Sequence, residues 1–358
     1  MRVADFEYHL PEALIAQEPL ARRDASRLMV LARDGSPPSH RRFSDLPDLL
    51  RPGDLLVLND TRVLPARLMG RRIVTGAPGA SAKVEALLVE KVGQAPRGGE
   101  RWRAMLKGSG RPGDTVQFGE AVQGRIEGRD VDGLTRIDLT GPGDLAAALE
   151  RAGRMPTPPY IRRRRDPAGE DAQESVDRDR YQTVYAREPG ALAAPTAGLH
   201  FTPELLAQAR ARGVEVEALT LHVGLGTFLP VRSELVEEHR LHPEPFIVPE
   251  AVAKGVERAR GKGGRVVAVG TTVARALEAS AGPGGEVRAS AGWCELFIVP
   301  GYRFRVVDSL VTNFHLPRST LLMLVSALAG RERILGAYAE AVRLGYRFYS
   351  YGDAMLLE

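Results

Sequence analysis

Residues 62–155 are written in a different pattern from the residues on either side, and that break constrains the fold more than any other feature. Inside it lie short, β-branched, partly alternating runs at 83–92, 101–106, 115–118, 122–126 and 135–139. Gly-rich turns such as Arg97-Gly98-Gly99 and Arg111-Pro112-Gly113-Asp114 separate them. Short strands at this spacing predict a small antiparallel barrel. The segment holds 16 Lys and Arg against 11 Asp and Glu, a net of +5, while the rest of the chain, with 33 against 34, is at −1. Such a barrel suits phosphate contact, and solvated strand edges guarded by charge explain the same pattern equally well.

On either side the pattern is α/β. Pro52-Gly53-Asp54 leads into a strand over 55–58 and then the Asn59 turn. Thr202-Pro203-Glu204 starts a helix with a capping hydroxyl, proline at the first position and an acid in the first turn. Gly213 closes that helix, and 214–221 reads as a strand leading to His222. An apolar strand over 265–269 runs into Gly270-Thr271-Thr272 and a helix through Glu278. A strand over 306–312 ends at Asn313-Phe314-His315, Ser319 caps an apolar helix to Ala329, and a second helix runs to Leu344. The expected fold is a mixed-sheet α/β main domain built from both chain ends, residues 1–61 and 156–358. A small antiparallel β-barrel, residues 62–155, is inserted in it, with Met155-Pro156-Thr157-Pro158-Pro159 marking the return crossing.

At 358 residues the chain has room for two domains and a large core. The N-terminal segment carries acids where a signal peptide needs an apolar run. The longest apolar stretch, around 321–329, falls short of the ~20 residues that span a bilayer. A cytoplasmic monomer with no membrane contact is expected. Cys294 is the only cysteine, which excludes an intrachain disulfide and nearly excludes thiolate metal sites. His239-x-x-His242 lacks any supporting ligand pattern, so no metal is expected. Residues 160–181 carry Arg162-Arg163-Arg164-Arg165, yet six arginines there meet six acids and the stretch is locally neutral.

Two histidine-bearing turns carry the chemistry. His200 sits in Ala194-Pro195-Thr196-Ala197-Gly198-Leu199-His200-Phe201, and His222 in Leu221-His222-Val223-Gly224-Leu225-Gly226-Thr227-Phe228. Each places an imidazole, the side chain that titrates near neutrality, where backbone approaches a ligand closely. Satisfied core histidines are the bland alternative. Asn59 and Asn313 are the only asparagines, and each needs a reason: a turn geometry, or a directed contact to a ligand. His315, two residues from Asn313, favours the second. Gly270-Thr271-Thr272 offers N–H groups and hydroxyls at a helix start, suited to an anion or a polyhydroxylated ligand. It is not the Gly-x-Gly-x-x-Gly dinucleotide fingerprint. Three strands thus deliver polar residues at their C-terminal ends, where α/β sheets bind ligands.

Several strings are long enough to carry a resemblance. They are 58–68 (Leu58-Asn59-Asp60-Thr61-Arg62 and onward), Arg180-Tyr181-Gln182-Thr183-Val184-Tyr185-Ala186, Ala193 to Phe201, and Leu219-Thr220-Leu221-His222-Val223-Gly224. Val269 to Thr272, Leu310-Val311-Thr312-Asn313-Phe314-His315-Leu316-Pro317 and Tyr349-Ser350-Tyr351-Gly352-Asp353-Ala354-Met355 continue the set. The chain resembles the S-adenosylmethionine:tRNA ribosyltransferase-isomerase family of the queuosine pathway along its whole length. Leu225, Leu229 and Ala274 depart from the family's pattern, which puts any role for those side chains in doubt.

The resemblance implies an enzyme that moves the ribosyl part of S-adenosylmethionine onto an aminomethyl-deazaguanine at the wobble position of tRNA. The product is epoxyqueuosine, and adenine and methionine leave. S-adenosylmethionine is a consumed substrate, and no cofactor is expected. A sulfonium acidifies the neighbouring ribosyl C–H, so a base is needed, and departing adenine needs a proton. His200 and His222 are the leading acid and base candidates, with His315 third. Thr196, Asn313 and the Gly270, Thr271, Thr272 turn would orient ribose hydroxyls or the methionine carboxylate, and Phe201 or Phe228 would face adenine or the sulfonium. Arg62 and the barrel would meet phosphates of the anticodon stem-loop. Asn59, Asp60, Tyr181, Gly224, Thr227 and Phe314 complete the expected substrate site. Two other readings stay open: an RNA methyltransferase, which would release S-adenosylhomocysteine, and a non-catalytic RNA-binding protein, which would not need polar turns at three strand ends.

Overall fold

The computed structural model describes residues 1–73, 82–162, 167–224, 226 and 231–358, the side chains of 167–171 excepted. The chain forms two compact units: Met1–Arg62 with Pro158–Arg163 and Arg180–Glu358, and Val63–Thr157 with Arg164–Asp179.

The first unit is built on a nine-stranded mixed sheet. Across the sheet the strands run Ser290–Cys294, Glu244–Val248, Glu215–Leu221, Leu55–Asn59, Val266–Val269, Ser309–Asn313, Ala354–Leu357, Arg27–Leu31 and Ser39–Arg42. Four consecutive strands, from Glu215–Leu221 to Ser309–Asn313, are parallel. Leu55–Asn59 and Val266–Val269 are buried at every position, as continuous apolar runs must be when helices cover both faces. Alternation then divides the strand between two cores. Leu55 and Val57 pack with Val252, Val256, Val273 and Leu277 of the helices Glu250–Gly261 and Thr271–Ala279. Leu56 and Leu58 face the other way, toward Leu205, Leu206 and Ala209 of the helix Pro203–Ala211.

Two buried carboxylates fix where these strands begin. Asp54 accepts the backbone N–H of Arg265 at 2.9 Å and its guanidinium at 2.7 Å, which levels the starts of Leu55–Asn59 and Val266–Val269. Glu278 accepts the N–H groups of Arg305, Val306 and Val307 and the hydroxyl of Tyr302. Those N–H groups are therefore not free for a ladder. This is why the strand expected over 306–312 starts only at Ser309. Five strands of this sheet were not expected from sequence: Arg27–Leu31, Ser39–Arg42, Glu244–Val248, Ser290–Cys294 and Ala354–Leu357. Among the described residues no helix is long and apolar enough to cross a membrane.

The second unit is a closed, six-stranded antiparallel barrel. Arg67–Ile73, Lys83–Gln94, Glu100–Gly108, Thr135–Thr140, Val122–Arg129 and Thr115–Phe118 pair in that order, and the last pairs back onto the first. Val84, Ala86, Ala104, Val116, Phe118, Ile137 and Leu139 fill its interior. Closure depends on two glycines. A Cβ at Gly70 would stand 2.5 Å from the Phe118 ring, and one at Gly124 would stand 2.7 Å from it. Much of the barrel's basic charge is matched within the barrel: Arg101 pairs with Asp138 and Arg103 with Glu90 across strands, while Arg72 meets Asp114 and Arg103 meets Asp130 and Asp132 in the turns. Cross-strand charge pairs stabilise a sheet surface and leave less free charge for a partner.

Candidate functional site

The parallel strands all end on one side of the sheet, and their polar ends meet there. Asn59 is the clasp. Its amide donates to Leu221 O at 2.9 Å and to Thr272 Oγ1 at 3.2 Å, while its Oδ1 accepts the N–H groups of Leu221 and Thr61. Asp60, also buried, accepts from Thr220 Oγ1 at 2.7 Å and from the Arg187 guanidinium at 2.8 Å. Both side chains are consumed in holding strand ends together. Gly270, at a φ of 95°, makes the turn from strand to helix and leaves the first N–H groups of Thr271–Ala279 at the strand end.

Beside this clasp opens a cavity of about 430 Å³, within the ~300–1,000 Å³ of small-molecule sites. Thr196, Gly270, Thr271, Thr272, Asn313, Phe314 and His315 line it, together with Tyr181. These are eight of the residues expected from sequence. Asn59, Asp60, His200, Phe201, His222 and Gly224 do not line it, and Arg62 lies exposed on the strand Thr61–Val63. Thr227 and Phe228 lie outside the described residues, as do Leu225 and Leu229.

The three candidate histidines occupy different positions. His315 is in the cavity wall, its Nε2 2.7 Å from Thr312 Oγ1, and burial pushes its pKa down to about 3. His200 stands behind the wall. Its ring stacks on Phe43 at 4.8 Å, its Nδ1 is 2.7 Å from Ser26 Oγ, and its Nε2 is 3.2 Å from the Asn313 amide nitrogen. Burial, with Arg347 and Arg23 nearby, pushes its pKa down to about 3 as well. His222 is half-buried, with Nδ1 2.7 Å from Thr61 Oγ1. Burial lowers its pKa, and the carboxylates of Asp60 and Glu188 partly oppose that shift. All three imidazoles are therefore neutral at pH 7, and burial, which penalises the charged form, makes each a weaker base than a free imidazole. Phe201 meets Phe43 edge-on at 5.0 Å inside the second core and presents no face to the cavity.

Several wall residues were not anticipated. Tyr160 and Tyr349 stand 4.6 Å apart as one aromatic side of the cavity, and the Tyr160 hydroxyl lies 2.7 Å from Ser350 Oγ. Tyr349 has a φ of 70°, a conformation that non-glycine residues adopt rarely and that collects at ligand sites. On another side Arg275 is ion-paired with Glu244, both buried. Arg275 also donates to Leu296 O and Cys294 O, and Glu244 accepts the Gly224 N–H at 3.0 Å. One sequence signal for this pair existed. Arg275 and Glu278 are the only charged residues on the helix Thr271–Ala279, where Val273, Ala274, Ala276 and Leu277 are apolar and buried, so these charges must be paired. His242 lines the cavity too, and among the described residues no group of three or more metal-ligating side chains occurs.

A family model described as "Queuosine biosynthesis protein" matches residues 3–357. A protein of Anaeromyxobacter sp. strain Fw109-5 named S-adenosylmethionine:tRNA ribosyltransferase-isomerase is 56% identical, over 100% of this chain and 99% of its own length. One of the same name from Pelotomaculum thermopropionicum is 50% identical over 100% of both chains. The crystal structure of an S-adenosylmethionine tRNA ribosyltransferase from Thermotoga maritima is similar with a TM-score of 0.54. That protein is 35% identical, and the match covers 99% of this chain and 100% of that one.

Proposed function

The chain belongs to the queuosine biosynthesis protein family, and from that premise we propose the reaction its cavity serves. The enzyme transfers the ribosyl part of S-adenosylmethionine to the aminomethyl-deazaguanine wobble base of tRNA and isomerises it to epoxyqueuosine, releasing adenine and methionine. The observation that carries this reading is the cavity itself: polar strand ends as its floor and a tyrosine pair as one side, in one small-molecule-sized space. A hydroxylated, cationic nucleoside needs both kinds of surface. The faces of Tyr160 and Tyr349 receive the sulfonium through cation–π attraction, and the N–H groups at the start of Thr271–Ala279 receive the methionine carboxylate.

The proton balance suits neutral imidazoles. A base removes the proton from the ribosyl carbon beside sulfur, and that proton can then serve the departing adenine, so the two steps need no stored acid. His315, in the cavity wall, is the acceptor assigned to the first step. His222 lies outside the cavity wall, with Nδ1 2.7 Å from Thr61 Oγ1, and is assigned no proton step. Correctly placed groups of this kind contribute ~10²–10⁴-fold each. Phosphate contact in the barrel falls to Arg97 and Arg129, which are exposed and form no ion pair with a carboxylate among the described residues.

Incubation with S-adenosylmethionine and tRNA bearing the modified base, with adenine followed by chromatography, tests the reading. Adenine released only in the presence of that tRNA supports ribosyl transfer. S-adenosylhomocysteine in its place would mean methyl transfer, and bound tRNA with neither product would mean a binding module.

A further inference from the structure

Asn313 is one of two asparagines in the chain, lines the cavity, and has an amide whose orientation the structure determines. Its Nδ2 carries two hydrogens. One goes to the backbone carbonyl of Tyr349 at 3.0 Å, so the nitrogen must face that way. The other meets His200 Nε2 at 3.2 Å. Nε2 is then an acceptor, the imidazole proton sits on Nδ1, and Nδ1 donates to Ser26 Oγ at 2.7 Å. Both donors of Asn313 are therefore used. What remains is Oδ1, buried and without a hydrogen-bond partner among the described residues. A buried acceptor left without a donor is costly and uncommon, and a ligand that supplies the donor explains it.

We propose that Ser26, His200 and the Tyr349 carbonyl form a bracket that presents Asn313 Oδ1 to the ligand as an acceptor, so that Asn313 takes a hydrogen from the nucleoside half of S-adenosylmethionine. The inference rests on S-adenosylmethionine being the ligand of this cavity. It narrows the chemistry sharply: with no donor left, Asn313 cannot hold the methionine carboxylate. The partner is an O–H of the ribose or the N–H of the adenine amine. His200 is a positioning residue and carries no proton in the reaction. The neutral ring suits that task, because a protonated imidazole would offer Nε2–H and turn the amide over.

Calorimetric titration of the full-length protein with S-adenosylmethionine and with 5′-methylthioadenosine, which keeps the nucleoside and lacks the amino acid, tests this. Asn313→Ala is expected to raise Kd about tenfold for both ligands, the loss of one hydrogen bond. His200→Leu, similar in volume but without an acceptor, is expected to weaken binding comparably. His200→Gln, which can accept from Asn313 and donate to Ser26, is expected to restore it. Circular dichroism establishes that each variant is folded, and Ser26→Ala supplies a milder version should His200→Leu not fold. Deoxy and deamino analogues of methylthioadenosine separate ribose from adenine, since Asn313→Ala costs nothing further against the analogue that lacks the donor. Unchanged Kd in folded Asn313→Ala, a loss confined to S-adenosylmethionine, or equal behaviour of His200→Leu and His200→Gln would overturn the proposal. If wild-type protein binds both ligands but releases no adenine with modified tRNA, the reaction assignment fails and the bracket still stands or falls on the Kd values. No binding of either ligand by wild-type protein overturns both.

Discussion

Buried imidazoles set the acid limit of this protein. His200 and His315 have pKa values of about 3 in the folded chain, against ~6.5 when unfolded. Between those values the unfolded chain binds more protons, so stability is full above pH ~6.5 and falls as the pH drops toward 3. By pH 5 the loss is roughly 2 kcal/mol for each ring. Urea unfolding at pH 7 and pH 5 checks it, and the double variant His200→Gln, His315→Gln should flatten that dependence. A second expectation concerns rate. His315→Ala, if folded, should lower kcat for adenine release by ~10²-fold or more with a smaller change in KM; unchanged kcat would remove His315 from the chemistry. At this scale the sequence showed which residue types gather and could not show what each does. His200, Asn59 and Asp60 sit in strings as suggestive as that of His315, yet their side chains are spent on Asn313, Leu221 and Thr220. Only hydrogen-bond partners from distant segments separate a brace from a reagent.

A strand or turn here is positioned by single buried groups. Glu278 takes three backbone N–H groups and one hydroxyl at the approach to Ser309–Asn313. Glu278→Ala should destabilise the main unit by at least ~3 kcal/mol, since each orphaned N–H costs ~1–3 kcal/mol, and thermal unfolding measures it. Adenine release should suffer even where the variant stays folded, because Asn313 and His315 lie at the far end of that strand. In the barrel, Gly70→Val should block closure of Arg67–Ile73 on Thr115–Phe118, where Phe118 leaves no room for a Cβ. Loss of near-ultraviolet dichroism in that unit is the expected reading. Elements with continuous apolar runs or clear caps, such as Val266–Val269 and Pro203–Ala211, were legible from sequence. Ser39–Arg42, exposed throughout, was not, because nothing in Ser39-His40-Arg41-Arg42 distinguishes an edge strand from a loop. Arg67–Ile73 hid for a related reason: it mixes arginines with a glycine that exists only to admit Phe118.

Over the whole molecule, two units with separate cores imply two melting events. The segment 63–157 contains all six barrel strands and should unfold cooperatively when expressed alone; a non-cooperative melt would count against an independent barrel. The mixed sheet with an inserted barrel was legible because the hydrophobic period changes at both crossings. The strand order was not, since pairing across long separations leaves no local mark. That order has a consequence during synthesis. Leu55–Asn59 pairs on both sides, yet its partners begin at Glu215 and Val266. At ~5–20 residues per second the ribosome needs on the order of 10–30 s to supply the nearer one. The barrel, whose strands are consecutive neighbours or nearly so, can form within that interval. An apolar ribbon thus waits beside a finished neighbour on every nascent chain, and trigger-type chaperones that shield such ribbons should govern yield far more than the protein's final stability does.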